Sequence, residues 1–115
     1  MLSLSTQDKV YLCLESIDFR KQINGLIQLT QSILKKNAYS QNYFAFINKK
    51  KTSVKILHFD GQGYWLHQKR LSKGKFKWPL GTEDQINLSA MELQVLLMNG
   101  NYRDAKIQQD WNKVA

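Results

Sequence analysis

Three runs of strand-forming residues, YFAFIN (43–48), SVKILHF (53–59) and YWLHQKRL (64–71), follow one another with only four residues between each. Connections this short cannot carry a crossover, so the runs must pair as an antiparallel meander. The second connection, Asp60-Gly61-Gln62-Gly63, suits a tight hairpin, because Gly61 and Gly63 can adopt positive φ. The first, Lys49-Lys50-Lys51-Thr52, is basic. KFKW (75–78) reads as a short extension of the meander after the turn at 72–74, and Pro79 ends it.

The flanks supply helices. KVYLCL (9–14) is a first strand, and Asp18 stands where an N-cap would open a helix. From Phe19 the apolar residues Phe19, Ile23, Leu26, Ile27, Ile33 and Leu34 recur at helical spacing, with Thr30 on the same stripe. Gly25 inside that helix costs about 1 kcal/mol against alanine and marks close packing on a neighbour. Lys35 and Lys36 suit the last turn, and Asn37 the stop. Near the end, LSAMEL (88–93) is a compact helix start, with Ser89 and Glu92 as a capping box and Leu88 and Leu93 as the staple. Asn99-Gly100 would end that helix. The pattern predicts a single α+β domain over residues 1–100, ordered β-α-β-β-β-(β)-α, with helices on one face of a mainly antiparallel sheet. Residues 101–115 read as a polar tail.

A chain of 115 residues is long enough for one domain and one modest core. No apolar run approaches the roughly 18 residues of a membrane span. The start, MLSLSTQDK, lacks the pattern of a signal peptide. A single cysteine, Cys13, excludes an internal disulfide and a cysteine-based zinc site. These features predict a cytoplasmic protein.

Charge is the outlier. The net formal charge is +8, and eleven basic residues between Lys35 and Lys77 face one carboxylate, Asp60. The remainder of the chain is slightly acidic. A local excess of this kind is the electrostatic footprint of a polyanion partner.

Catalytic constellations are thin. No HExxH, CxxC or Walker pattern occurs. The DGQG glycines lie between two strands, whereas phosphate-cradling loops lead into a helix. The carboxylates fall on turns, caps and the tail, which argues against a metal nuclease, and no cofactor or metal is implied. His58 and His67 could meet across the hairpin beside Lys69 and Arg70, the parts of a small metal-free ribonuclease. Against that stands the ordinary reading of two half-exposed strand residues. Lysines beside rings on strands and turns fit nucleic acid better, since lysines reach phosphates and rings stack on bases. Anionic lipid would also attract lysines, but no basic amphipathic helix is present to lie on a membrane. The candidate nucleic-acid-binding residues are Lys49, Lys50, Lys51, Lys55, Lys69, Arg70, Lys73, Lys75 and Lys77 for phosphates. Tyr64, Trp65 and Trp78 are candidates for stacking or support, and Arg20 and Lys21 are further candidates.

DFRKQINGL (18–26), YFAFINKKKTSVKILHFDGQGYWLHQKRL (43–71) and GKFKWP (74–79) together resemble the TnpB accessory proteins of the insertion sequence 66 family of bacterial transposable elements. These are small products encoded beside the transposase and distinct from the RNA-guided nuclease of the same name. The resemblance covers residues 8–100 and keeps the order helix, meander, WP, terminal helix. It implies a non-enzymatic helper in DNA transposition, working beside a separate transposase. Gln22 stands where the family has glycine, and lysines fill 49–51 where arginines are common. Arginine forks onto guanine and lysine acts as a point charge, so this member is expected to read little sequence. The expected partners are DNA and the transposase or other proteins of the same element. A protein adaptor that docks the transposase is the alternative to direct DNA contact.

Overall fold

The computed structural model describes residues 8–98. In chain order they form β1 (Val10–Cys13), α1 (Ile23–Ser32), β2 (Tyr43–Ile47), β3 (Ser53–Phe59), β4 (Tyr64–Arg70), β5 (Gln85–Leu88) and α2 (Ala90–Leu97). The five strands make one sheet in the order β4-β3-β2-β1-β5. The meander β2-β3-β4 is antiparallel as expected, with Ala45 opposite Ile56 and Ile56 opposite His67. β1 runs parallel to β2, and α1 is the crossover that such a pair requires. The fold is α+β.

Strand alternation divides the core in two. Val10, Leu12, Tyr43, Ala45, Ile47, Val54 and Ile56 face one side, covered by Leu93 and Leu96 of α2 and by Phe76 and Trp78. Cys13, Phe44, Phe46 and Leu57 face the other, covered by Leu26 and Leu34 of the α1 region. The helices therefore lie on opposite faces, which corrects the expectation of a single covered face. The physical reason is in β2, where all five residues are buried, so both of its sides need a lid.

Other boundaries also move. KFKW is not a strand, yet Phe76 and Trp78 point inward while Lys75 and Lys77 stay exposed. The Trp78 indole N–H donates to the Cys13 carbonyl at 2.9 Å. The fifth strand is instead Gln85–Leu88, antiparallel to β1 on the far edge. α1 begins four residues later than Phe19, with Gln22 as an N-cap that makes no side-chain cap bond. Asp18 does not cap it, because its carboxylate takes the Arg20 backbone N–H at 3.0 Å and the Arg20 guanidinium at 2.7 Å. The helix ends before Lys35, whose φ of 53° turns the chain out, and Lys36 N–H closes back onto the Thr30 carbonyl. A Cβ at Gly25 would lie 3.0 Å from Cβ of Lys21, so the close neighbour is the chain just before the helix. The α2 capping box forms as read from Ser89 and Glu92. Asn99-Gly100 and the tail at 101–115 lie outside the described residues.

Candidate nucleic-acid interface

The β2–β3 turn is built by Asn48. Its side-chain oxygen accepts from the backbone N–H groups of Thr52 (2.8 Å) and Ser53 (3.0 Å), and its amide nitrogen donates to Thr52 Oγ1 at 3.0 Å. The turn so fixed presents Lys49, Lys50 and Lys51. Lys51 adopts φ 63°, a left-handed conformation that glycine or asparagine enters more easily. A lysine held there costs on the order of 1 kcal/mol, and such local cost clusters at functional positions. Replacing Lys51 with glycine is therefore expected to keep or raise thermal stability while weakening polyanion binding. Paired melting and binding curves check both signs.

Two backbone bonds bring the second basic loop alongside. Leu71 N–H donates to the Thr52 carbonyl at 2.9 Å, and Phe76 N–H to the Lys51 carbonyl at 2.8 Å. Burial of Phe76 and Trp78 leaves Lys75 and Lys77 outside, with Lys73 in the preceding turn and Arg70 opposite Ser53 at the end of β4. The structure thus gathers Lys49, Lys50, Lys51, Arg70, Lys73, Lys75 and Lys77 at one end of the hairpin. None of these cations makes an ion pair with a described carboxylate. Asp60, the one carboxylate between Lys49 and Lys77 in sequence, sits at the opposite end of β3, roughly 20 Å away at 3.3 Å per residue. Glu15, Glu83 and Asp84 line a depression on the β1–β5 side. The register sets this depression at the same end of the sheet as the lysine turn, on its β1–β5 edge.

Asp60 is engaged locally. It accepts from Gln62 and Gly63 N–H at 2.9 Å each and from the Trp65 indole at 2.8 Å. The backbone N–H groups of Gln62 and Gly63, then the indole, lower its pKa from 3.8 to about 2. Lowering in the fold means that the turn's stabilisation is complete above the unfolded value and is lost as pH falls through the folded one. The Trp65 indole proton should therefore titrate with a midpoint near 2 in NMR. A midpoint near 4 would show an unbonded carboxylate. Only Gly61, at φ 99°, uses positive φ in this turn; Gly63 does not.

Several candidates stand elsewhere. Lys55 is 1% exposed, and its Nζ donates to the carbonyls of Phe19 (2.8 Å) and Lys21 (2.7 Å) while lying 4.9 Å from the Phe19 ring centre. Desolvation lowers its pKa. It is a strut inside the fold and not a phosphate contact, which corrects the sequence reading. Lys69 Nζ donates to the Leu97 carbonyl, where a cation offsets the negative end of α2. Trp78 is buried and supports the loop without offering a stacking face. Tyr64 packs half-buried against Phe59 and Tyr39. Trp65 alone of the three aromatic candidates is exposed, at 55%, and it lies at the Asp60 end. The expected mixture of rings and cations is thus separated along β4. Arg20 is exposed and paired to Asp18, while Lys21 contributes its carbonyl to Lys55.

His58 and His67 do share a face, diagonally across the β3–β4 pairs His58↔Trp65 and Ile56↔His67. Their nearest rings are aromatic: His58 stacks on Tyr43 at 4.0 Å and His67 on Trp65 at 6.0 Å. Desolvation lowers the pKa of both. Arg70 faces the other side, so no phosphate clamp forms from it. Sequence reasoning missed Asn48 and Thr52, which position the lysine turn. An asparagine just before a short basic connection was the available signal. Among the described residues no group of three or more His, Cys, Asp or Glu side chains could hold a metal ion. Among the same residues no helix is long and apolar enough to cross a membrane.

The model of the family described as IS66 Orf2 like protein matches residues 8–106. The chain belongs to that family. Members are accessory proteins of transposition, encoded by insertion sequences. The chain is similar to two uncharacterized proteins of Sinorhizobium fredii (strain NBRC 101917 / NGR234). With y4hO it shares 31% identity over 111 residues, covering 96% of this chain and 95% of that protein. With y4jC it shares 29% over 97 residues, covering 84% and 83%. No solved structure matches the chain significantly.

Proposed function

We propose that this family member serves transposition as a non-enzymatic, nucleic-acid-binding accessory protein, its contact surface being the cationic end formed by the 49–51 turn and the 70–77 segment. The observation that carries this reading is the joining of two basic loops by the Phe76-to-Lys51 and Leu71-to-Thr52 bonds, with no described carboxylate paired to their cations. Like charges held together raise the local potential and weaken folding, a cost that a polyanion offsets. Arg70 is the one arginine of the group, so the surface suits phosphates more than base edges. Trp65 lies too far along β4 to stack on bases held at this end, which favours duplex backbone over unstacked single strands.

The test is the salt dependence of binding to a duplex of arbitrary sequence. About five neutralised phosphates predict a slope of log affinity against log salt near −4.5. A slope near zero sinks the reading. If the chain instead retains the transposase in high salt with nuclease present, the cationic end serves as an adaptor for an acidic protein segment.

A further inference from the structure

β4 is the outermost strand of the sheet, and among the described residues its outer edge pairs with nothing. The ladder itself tells which backbone groups face outward. Antiparallel partners alternate between hydrogen-bonded and non-bonded positions. The bonds Asp60 N–H to Gly63 O (3.0 Å) and Leu71 N–H to Thr52 O (2.9 Å) mark bonded positions at both ends of the β3–β4 pair. With Phe59 opposite Tyr64 and Ser53 opposite Arg70, parity turns the groups of Trp65, His67 and Lys69 inward to β3. Tyr64, Leu66, Gln68 and Arg70 direct their N–H and C=O groups off the sheet.

We propose that this edge pairs antiparallel with β4 of a second copy of the chain, in the register that sets His67 opposite His67 of the second copy. Two-fold registers are limited, because an outward-facing residue must meet another. Centres on Leu66, His67 and Gln68 satisfy that condition. Only the centre on His67 pairs all of Tyr64–Arg70, with Tyr64 bonded to Arg70 and Leu66 to Gln68 across the interface. The same register places Trp65 opposite Lys69 on one face and Tyr64 opposite Arg70 on the other, a ring against a cation each time. It also carries the Asp60 turn of one copy toward the cationic end of the other. Parallel pairing would instead bring the two cationic ends side by side. The separation of rings from cations along β4 is thus complementary to itself when reversed, and it accounts for a tryptophan left 55% exposed. Lysines on edge strands normally oppose such pairing. Here the register sets Lys69 and Arg70 of each copy against rings of the other and not against like charges, so these cations do not oppose it.

The full chain, freed of nucleic acid, is examined by sedimentation equilibrium from low to high micromolar concentration. A reversible monomer–dimer equilibrium is expected. Gln68→Pro removes one outward N–H and leaves the β3 ladder intact. Trp65→Lys sets ammonium groups opposite Lys69. Each is expected to weaken the dimer by at least about tenfold, with an unchanged circular dichroism spectrum. A chain monomeric throughout overturns the proposal, as does a dimer indifferent to Trp65→Lys. Should Gln68→Pro disturb the fold, Trp65→Lys decides alone.

Discussion

Replacing Lys73, Lys75 and Lys77 together with alanine is expected to flatten the salt dependence of duplex binding by up to about 3 units of slope. The three side chains are exposed, and the inward residues that hold their segment, Phe76 and Trp78, are untouched. The variant should therefore melt at or above the wild-type temperature, since it also removes repulsion. Lys49→Ala/Lys50→Ala should flatten the slope further by about 2, because the Phe76-to-Lys51 bond puts both loops at one end. A triple variant with the wild-type slope would remove the 73–77 loop from the surface. Loss in the triple variant with no loss in the double would show that only one loop meets the duplex.

Lys55→Met should destabilise the fold by about 2 kcal/mol, and Lys55→Ala by roughly 3 to 4. The ammonium satisfies the carbonyls of Phe19 and Lys21, in the segment that leads into α1. Methionine keeps the apolar stem and leaves both carbonyls without a donor; alanine also opens a cavity among Phe44, Phe46 and Leu57. In a domain of this size each kcal/mol moves the melting temperature by about 4–8 °C, so both variants are readily seen by calorimetry. Salt-dependent binding by the folded fraction should keep its slope, which separates Lys55 from the exposed cations. A methionine variant as stable as the wild type would mean that the two carbonyl bonds contribute nothing net. A change of slope would return Lys55 to the surface.

The meander, the DGQG hairpin and the α2 capping box were legible because each depends on residues close in sequence. Short connections force antiparallel pairing, an aspartate and a glycine make the turn, and Ser89 and Glu92 satisfy each other's backbone partners. The start of α1 was misread because Asp18 has two uses for its carboxylate, and Arg20, two residues on, claims it before the helix can. β5 went unseen because QINL is short and only half buried, so its strand character comes from the β1 edge it joins. KFKW carried a true alternation of inward rings and outward lysines, but among the described residues it joins no strand ladder and is tied in by the single Phe76-to-Lys51 backbone bond and the Trp78 indole.

Within the site, the surplus of positive charge was plain in the residues between Lys35 and Lys77, and so was the absence of acids among them. Which of those cations face a partner was a tertiary matter. Burial of a lysine depends on what the fold lays over it. The Phe19–Lys21 carbonyls reach Lys55 from more than thirty residues away, and the last turn of α2 reaches Lys69 from the far end of the domain. Alternation says which side chains share a face of a strand; it does not say which face a helix will cover. Only the packing of α1 and α2 on opposite faces, and the closure of residues 71–77 onto the 51–52 turn, turned a basic stretch of chain into one cationic end. Local pairing rules act over a few residues and can be read along the chain, whereas desolvation and charge proximity are properties of what has been brought together in space.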